Sequence, residues 1–202
     1  MNKFLAKTFS FLFHPLFMPA VGILILFNSK TALDYLPFEA KKIIFFIVFI
    51  STIILPLTFI PFYYFQKIIK TIFLETKKER LIPFFLTSVL YFFAYFLLVR
   101  LGAPTTINLF ILASACTVFI LFLLTLKWKV SAHMMGIGGL TGTLIAISFK
   151  LQINLELFII AAIFVSGVLG YSRLKLKNHN SFEIYTGWLT GLLVTAILIL
   201  SY

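Results

Sequence analysis

Residues 155–200 read LELFIIAAIFVSGVLGYSRLKLKNHNSFEIYTGWLTGLLVTAILIL, two apolar runs on either side of a short polar stretch. Each run approaches the roughly 20 residues that a helix needs to cross the hydrocarbon core of a bilayer. The basic residues of this segment are confined to the polar stretch, where lipid headgroups would surround them. The segment therefore predicts two transmembrane helices joined by a loop at one membrane surface.

The whole chain has the composition of this segment. Of its 202 residues, 61% are hydrophobic and only 11% are charged. A soluble domain carries roughly 25% charged residues, and a chain of this length could not bury so much apolar surface in a core. The only cysteine, Cys116, lies in an apolar run. These features exclude a disordered chain, a disulfide scaffold and a soluble nucleic-acid-binding protein, and we expect no nucleic-acid partner.

Charged residues and turn signals divide the chain into seven apolar runs. We predict an all-α, polytopic membrane helical bundle of six or seven transmembrane helices in a single domain. Residues 9–65 are expected to form an N-terminal hairpin, and residues 66–202 the core that carries the motifs. The stretch Gln66–Arg80 mixes lysines with isoleucines and predicts an amphipathic helix at the interface. The seven predicted spans are about Phe9–Phe27, Ile43–Phe65, Leu81–Val99, Ile107–Leu126, Met134–Phe149, Leu155–Tyr171 and Phe182–Leu200.

The first run needs a separate interpretation, because Lys3 and Lys7 before it give the outline of a signal peptide. It lacks a convincing small-residue cleavage site, and His14, Pro15 and Pro19 interrupt it. We interpret it as a retained segment that either spans the membrane or re-enters it. His14 is interpreted as a packed or hydrogen-bonded histidine at the interface.

Counting the crossings assigns every loop to one of two membrane surfaces. The N terminus and residues 66–80, 127–133 and 172–181 share one surface, here called side A, and the remaining loops share side B. Side A holds 12 of the 17 Lys and Arg residues, which by the positive-inside rule favours the cytoplasm. The polar groups predicted to meet at side A are Lys77, Lys78, Arg80, Ser131, His133, Ser172, Arg173, His179 and Glu183.

Two of these side-A residues have a spacing that suits nucleophilic chemistry. A helical turn from His179 to Glu183 would place the imidazole and the carboxylate on one face. A carboxylate on one ring nitrogen fixes the tautomer and makes the other nitrogen a better nucleophile. Ser131 precedes the fifth span and is predicted to cap it, which leaves the N–H groups of the first turn as an anion site.

Phosphoryl transfer requires such a set of groups: a nucleophile, an acid and fixed positive charge. The nearby carboxylates of Glu75, Glu79 and Glu183 are too few and too scattered for a metal site, so we expect no metal and no other cofactor. Behind Ser131 come Gly136, Gly138, Gly139 and Gly142, which we interpret as helix-packing residues.

Three segments on side A carry a pattern that resembles a known family. They read KKER over residues 77–80, VSAH over residues 130–133 and SRLKLKNHNSFE over residues 172–183. In order and in predicted membrane side they are similar to the three motifs K-x6-R-P, P-S-G-H and S-R-x5-H-x3-D. These motifs belong to the integral-membrane type 2 phosphatidic acid phosphatases. This chain has Glu in place of the last Asp, and Val130 and Ala132 in place of the Pro and the Gly of the second motif. Phe73 stands where the first motif has its Lys.

The resemblance implies a fold like that of these lipid phosphatases and a role for each matching residue. It implies that His179 is the nucleophile that forms a phosphohistidine, oriented by Glu183. It further implies that His133 protonates the leaving oxygen and later activates water. The groups implied to hold the phosphate are Arg80, Arg173, Lys77 or Lys78, Ser131 and the N–H of Ala132.

The expected substrate is a lipid phosphate or diphosphate: phosphatidate, phosphatidylglycerophosphate or a polyprenyl diphosphate. We expect an integral protein of the bacterial inner (plasma) membrane, surrounded by membrane lipids. The resemblance favours the outer face for the site, against the charge count. Two alternatives remain open: a lipid phosphotransferase of the same fold, and a lipid-binding or transport protein without turnover. Lys175 and Lys177 are interpreted as headgroup contacts.

Overall fold

The fold is described by a computed structural model that covers residues 1–70, 74 and 76–202. This part of the chain is 80% helical and contains no strand. Seven of its helical segments are long and apolar enough to cross a membrane, which confirms the predicted class and number of spans. The helices are α1 (Lys3–Leu12), α2 (Met18–Phe27), α3 (Phe38–Phe49), α4 (Leu55–Phe65), α5 (Lys77–Arg100), α6 (Thr105–Lys127), α7 (Ala132–Leu151), α8 (Glu156–Lys175) and α9 (Ser181–Ser201).

The predicted amphipathic helix over Gln66–Arg80 is corrected by the structure. Residues 66–70 form turns rather than helix, and Lys77–Arg80 are the first turn of α5; residues 71–73 and 75 lie outside the described chain. Thr76 ends the loop because its hydroxyl accepts from the backbone N–H of Glu79, whose carboxylate accepts from the N–H of Thr76. This capping box satisfies two backbone groups and fixes where α5 begins.

Two of the seven spans are interrupted, and a proline explains each interruption. The backbone of His14, before Pro15, is extended (φ −65°, ψ 138°), because a residue preceding proline is disfavoured in helical geometry. A short 3₁₀ turn, Pro15–Phe17, then connects α1 to α2. Between α3 and α4 the chain forms a π-helical turn, Ile50–Ile54, just before Pro56.

The second interruption faces the interior of the bundle. In an α-helix, the N–H that Pro56 lacks would bond the carbonyl of Thr52. The hydroxyl of Tyr91, on α5, lies 3.5 Å from that carbonyl oxygen and donates to it. The hydrogen bond from Tyr91 thus satisfies the Thr52 carbonyl, for which Pro56 has no N–H to donate.

Helices α7 and α9 form the tightest contact in the bundle, through glycines on both helices. A Cβ atom on Gly138 would meet the Trp188 carbonyl, and one on Gly191 would meet the Met135 carbonyl. The Thr195 hydroxyl on α9 also donates to the Gly139 carbonyl at 2.9 Å. Small residues let two backbones approach in this way in membrane helices. The interpretation of the α7 glycines as packing residues is therefore confirmed.

The loops at the side-A end of the bundle are tied to each other. The backbone N–H of Ser131, before α7, donates to the Glu183 carbonyl of α9 at 3.2 Å. The Lys77 ammonium at the start of α5 donates to the Lys127 carbonyl that ends α6, also at 3.2 Å. The first contact joins the start of α7 to the start of α9, and the second joins the start of α5 to the end of α6.

Candidate functional site

A cavity of about 1160 Å³ opens at the side-A end of the bundle. All three histidines of the chain line it, whereas no Asp or Glu within the described ranges does. On α5 its lining residues run from Arg80 to Tyr91, which corresponds to about 16 Å along the helix axis. Its polar lining residues near side A are Lys7, Ser10, His14, Arg80, Lys129, His133, Arg173, Lys177, Asn178 and His179.

His179 and Glu183 form a close pair at the polar end of this cavity. The Nδ1 atom of His179 lies 2.6 Å from the Oε2 atom of Glu183, and only 1% of the histidine side chain is exposed. Although His179 precedes α9, the carboxylate reaches back to it because Asn180 caps the helix and accepts from the Glu183 N–H at 2.9 Å. Since a carboxylate accepts, Nδ1 carries the proton and Nε2 keeps its lone pair.

The surroundings of His179 keep its imidazole neutral. Burial is the main reason that its pKa falls to about 3. Three cations act in the same direction, namely Arg80, Arg173 and Lys129. A neutral imidazole with a free Nε2 lone pair is the form that a nucleophile or a base requires.

Arg80 is fixed by backbone carbonyls from two different loops. Its Nε atom donates to the Leu74 carbonyl at 2.7 Å, and its Nη1 atom lies 3.4 Å from the Val130 carbonyl. The residue is only 8% exposed. The loop before α5 and the loop before α7 thereby hold one buried guanidinium at the cavity wall.

Arg173, at the end of α8, is equally buried and is held by a side chain instead. With the Asn178 amide oriented so that both its groups are satisfied, the amide oxygen accepts from Nη2 at 3.0 Å and from Nη1 at 3.2 Å. The Arg173 Nε has no hydrogen-bond partner in the described chain. A buried donor without a partner is costly, so this position favours an anionic ligand.

His133 and His14 approach each other in the lining of the same cavity. The Nε2 atom of His133 lies 3.0 Å from the Ser10 carbonyl oxygen, which can only accept, so Nε2 carries the proton and Nδ1 the lone pair. The Nδ1 atom of His14 accepts from the Leu16 N–H at 3.4 Å, so its proton is on Nε2. The two rings are perpendicular, with centroids 5.3 Å apart.

The structure places the sequence-predicted site residues in two groups. Arg80, Ala132, His133, Arg173 and His179 line the cavity, and Glu183 stands behind His179. His14, interpreted from the sequence as a packed or hydrogen-bonded histidine at the interface, accepts from the Leu16 N–H and also lines the same cavity.

Three residues predicted to hold the phosphate lie away from the cavity. Lys77 and Lys78 are exposed. The Lys77 ammonium donates to the Lys127 carbonyl at the end of α6. Lys78 and Arg80 are two residues apart, so they lie on nearly opposite sides of α5. The Ser131 side chain is fully buried and makes no cap hydrogen bond. The N terminus of α7 packs beneath α9 there, where Gly187 leaves room for the Ser131 carbonyl.

Sequence reasoning overlooked the cavity residues of α1 and of two loops. Lys7 and Ser10 are three residues apart on α1, the spacing of one helical face, and that spacing could have identified them. Lys129 and Asn178 lie in loops between helices and carry no periodic signal of this kind.

Comparison with models of known protein families, with curated proteins and with solved structures gives no match. The resemblance to the phosphatases therefore rests on the motif residues and their arrangement. Among the described residues, no group of three or more His, Cys, Asp or Glu side chains lies close enough to hold a metal ion.

Proposed function

We propose that this protein is a membrane phosphatase that hydrolyses the phosphate monoester or diphosphate of a lipid through a phosphohistidine. The observation that carries the proposal is the His179–Glu183 pair, 2.6 Å apart, beside two buried arginines at the polar end of a cavity. A nucleophile oriented by a carboxylate, next to fixed cations, supplies the positioning and the charge neutralisation that phosphoryl transfer needs.

The shape and polarity of the cavity support a lipid substrate. Five cations line its polar end, Lys7, Arg80, Lys129, Arg173 and Lys177, and no carboxylate among the described residues lines it. Glu79 and Glu183 interact with Arg80 from outside the lining. Deeper in the membrane its walls are mainly apolar side chains of α2, α4, α5 and α6. A phosphate fits the first region and an acyl or prenyl chain fits the second.

In the first step the Nε2 lone pair of His179 attacks phosphorus, and the bond from phosphorus to the leaving oxygen breaks. The proton on Nδ1 stays with His179 and is stabilised by the Glu183 carboxylate as the ring gains positive charge. His133, protonated on Nδ1 when a phosphate dianion is bound nearby, transfers that proton to the leaving oxygen. The product lipid leaves, and the phosphoryl group remains on Nε2.

In the second step His133, now neutral, accepts a proton from a water molecule through Nδ1. The hydroxide oxygen attacks phosphorus, and the bond from phosphorus to His179 Nε2 breaks. Inorganic phosphate is released, and both histidines return to their starting protonation states. Arg80 and Arg173 offset the charge of the equatorial oxygens in both steps.

The experiment that tests this function is phosphate release by the detergent-purified protein in the presence of EDTA. The substrates are phosphatidate, phosphatidylglycerophosphate and undecaprenyl diphosphate, each tested with wild type and with His179→Ala. We expect release by wild type alone, with a trapped phosphohistidine in enzyme that is quenched with SDS at alkaline pH, where the bond between nitrogen and phosphorus is stable. A folded wild-type protein that releases no phosphate from the panel would contradict the proposal and favour a lipid-binding protein. Turnover only when an acceptor lipid is added would favour a phosphotransferase.

We also propose that the protein resides in the bacterial plasma membrane with side A facing outward, where the resembling phosphatases act. Single cysteines at Lys175, on side A, and at Glu156, on side B, test this in a Cys116→Ser background. Both positions are exposed. An impermeant maleimide added to intact cells should label the cysteine at 175 and spare the one at 156. The reverse pattern would place the site in the cytoplasm.

A further inference from the structure

One face of α1 forms a wall of the cavity, although no phosphatase motif lies in this helix. Ser10, on α1, and His14, two residues after the end of α1, both line the cavity. The main-chain carbonyl of Ser10 accepts from His133 Nε2 at 3.0 Å. Helix α1 thereby fixes the tautomer of His133 and is part of the site rather than only a membrane anchor.

Two polar atoms of this wall have no protein partner within the described chain. The Ser10 hydroxyl is buried and unpaired in a residue that is only 8% exposed. His14 is half-buried, and its ring bonds the backbone only through Nδ1, so its Nε2–H is left to donate to a molecule in the cavity. Buried donors are nearly always satisfied. The arginines that line the same cavity carry positive charge and cannot accept, so a ligand is the partner that the Ser10 hydroxyl lacks.

We propose that His14 is a substrate-binding residue whose Nε2–H donates to a phosphate oxygen on the side of the headgroup that faces α1. The Ser10 hydroxyl donates to the same headgroup. Ser10 and His14 thus add neutral donors to the cations of Arg80 and Arg173 in the lining of one cavity, and a bound phosphate is contacted by both kinds of group. The inference rests on the proposed function for the identity of the ligand.

Two amide substitutions separate binding by His14 from its structural role. In His14→Asn the short side chain can still accept from the Leu16 N–H, as asparagine caps do, but cannot reach the position of Nε2. In His14→Gln the amide N–H can reach that position, but the cap is lost. The test measures equilibrium binding of radiolabelled phosphatidate, and of inorganic phosphate, to the purified full-length protein, together with the Tm of each variant.

We expect His14→Asn to weaken the binding of both ligands by about tenfold or more while the Tm changes little. His14→Gln should stay within about threefold of wild type despite a lower Tm. Ser10→Ala should weaken binding several-fold, whereas Ser88→Ala, a matched control on α5 whose hydroxyl is already bonded to the Phe85 carbonyl, should not.

Affinities that follow the Tm of the variants, with His14→Gln the weaker binder, would overturn the proposal and leave His14 as a cap. A loss for phosphatidate without a loss for inorganic phosphate would also overturn it, because the contact would then lie outside the phosphate. Binding requires no turnover, so the affinities of the variants test the role of His14 even when wild type releases no phosphate. Absence of phosphate release would refute the proposed hydrolase alone.

Discussion

Replacing Glu183 by glutamine is the sharpest test of the proposed chemistry, because it removes one charge and keeps the shape. The 2.6 Å contact with His179 Nδ1 is short for a nitrogen–oxygen pair, and the carboxylate side chain is 17% exposed. In Glu183→Gln the amide oxygen can still accept from Nδ1–H. The substitution therefore measures what the negative charge contributes when His179 becomes positively charged.

Two bounds on this contribution follow from the geometry. A hydrogen bond to a charged group is stronger than a neutral one by about 1–1.5 kcal/mol, which corresponds to about tenfold in rate. A full charge pair separated by about 4 Å at an effective dielectric constant of about 20 gives about 4 kcal/mol, or about 10³-fold. We expect the rate of phosphorylation of His179 to fall by about 10²-fold, between these limits.

The assay is single-turnover formation of phosphoenzyme from ³²P-labelled phosphatidate, with equilibrium binding measured in parallel. Binding should be nearly unchanged, because Glu183 does not line the cavity and its carboxylate contacts His179 rather than the ligand. Glu156→Gln, at the exposed first turn of α8, is the matched control and should react at the wild-type rate. A Glu183→Gln rate within threefold of wild type would refute the orienting role of the carboxylate.

Three further expectations concern the packing, the pH dependence and the anchoring of Arg173. Gly191→Ala should lower the free energy of unfolding by about 1–3 kcal/mol, since its Cβ would meet the Met135 carbonyl; Gly167→Ala, with open space around its Cβ, should leave the Tm in detergent unchanged. The pKa of His179 is about 3 in the folded protein and about 6.5 in the unfolded chain. Between these values the folded state binds fewer protons than the unfolded state. The contribution of neutral His179 to stability is therefore complete above pH 6.5 and is lost as the pH falls towards 3. The Tm of wild type should therefore fall more steeply between pH 7 and pH 4 than that of His179→Gln, and parallel curves would contradict the assignment. Asn178→Ala should raise KM by about three- to tenfold with little change in Tm, because it removes the acceptor that holds the Arg173 guanidinium; an unchanged KM would remove this positioning role.

The membrane class, the number of spans and the adjacency of His179 and Glu183 were all predictable from the sequence. Apolar runs of transmembrane length are unambiguous when charges occur only between them. The spacing of four residues between His179 and Glu183 brings the two side chains together even though His179 lies just outside the helix. This is possible because Asn180, the next residue, is the N-cap of α9.

The parts that the sequence did not predict depend on which way side chains turn at the ends of helices. Whether Ser131 faces the cavity or the α9 backbone depends on how closely α7 approaches α9, and that distance is set by glycines remote from Ser131 in the chain. Likewise, His14 reaches the cavity because Pro15 breaks the first span. Hydropathy records the proline but not the direction of the bend.

The interruptions at His14–Pro15 and at Ile50–Ile54 both lie in the N-terminal four helices, whereas α5 to α9 are continuous. The cavity is therefore bounded by continuous helices, among which α7 and α9 are held together by their glycine contact, and by an interrupted half made of α1 to α4. Two exposed apolar residues of the interrupted half line the cavity, Phe11 on α1 and Leu57 on α4. If the proposed lipid substrate is bound, we expect tails of different length or branching to be accommodated by changes in this half rather than by changes around His179.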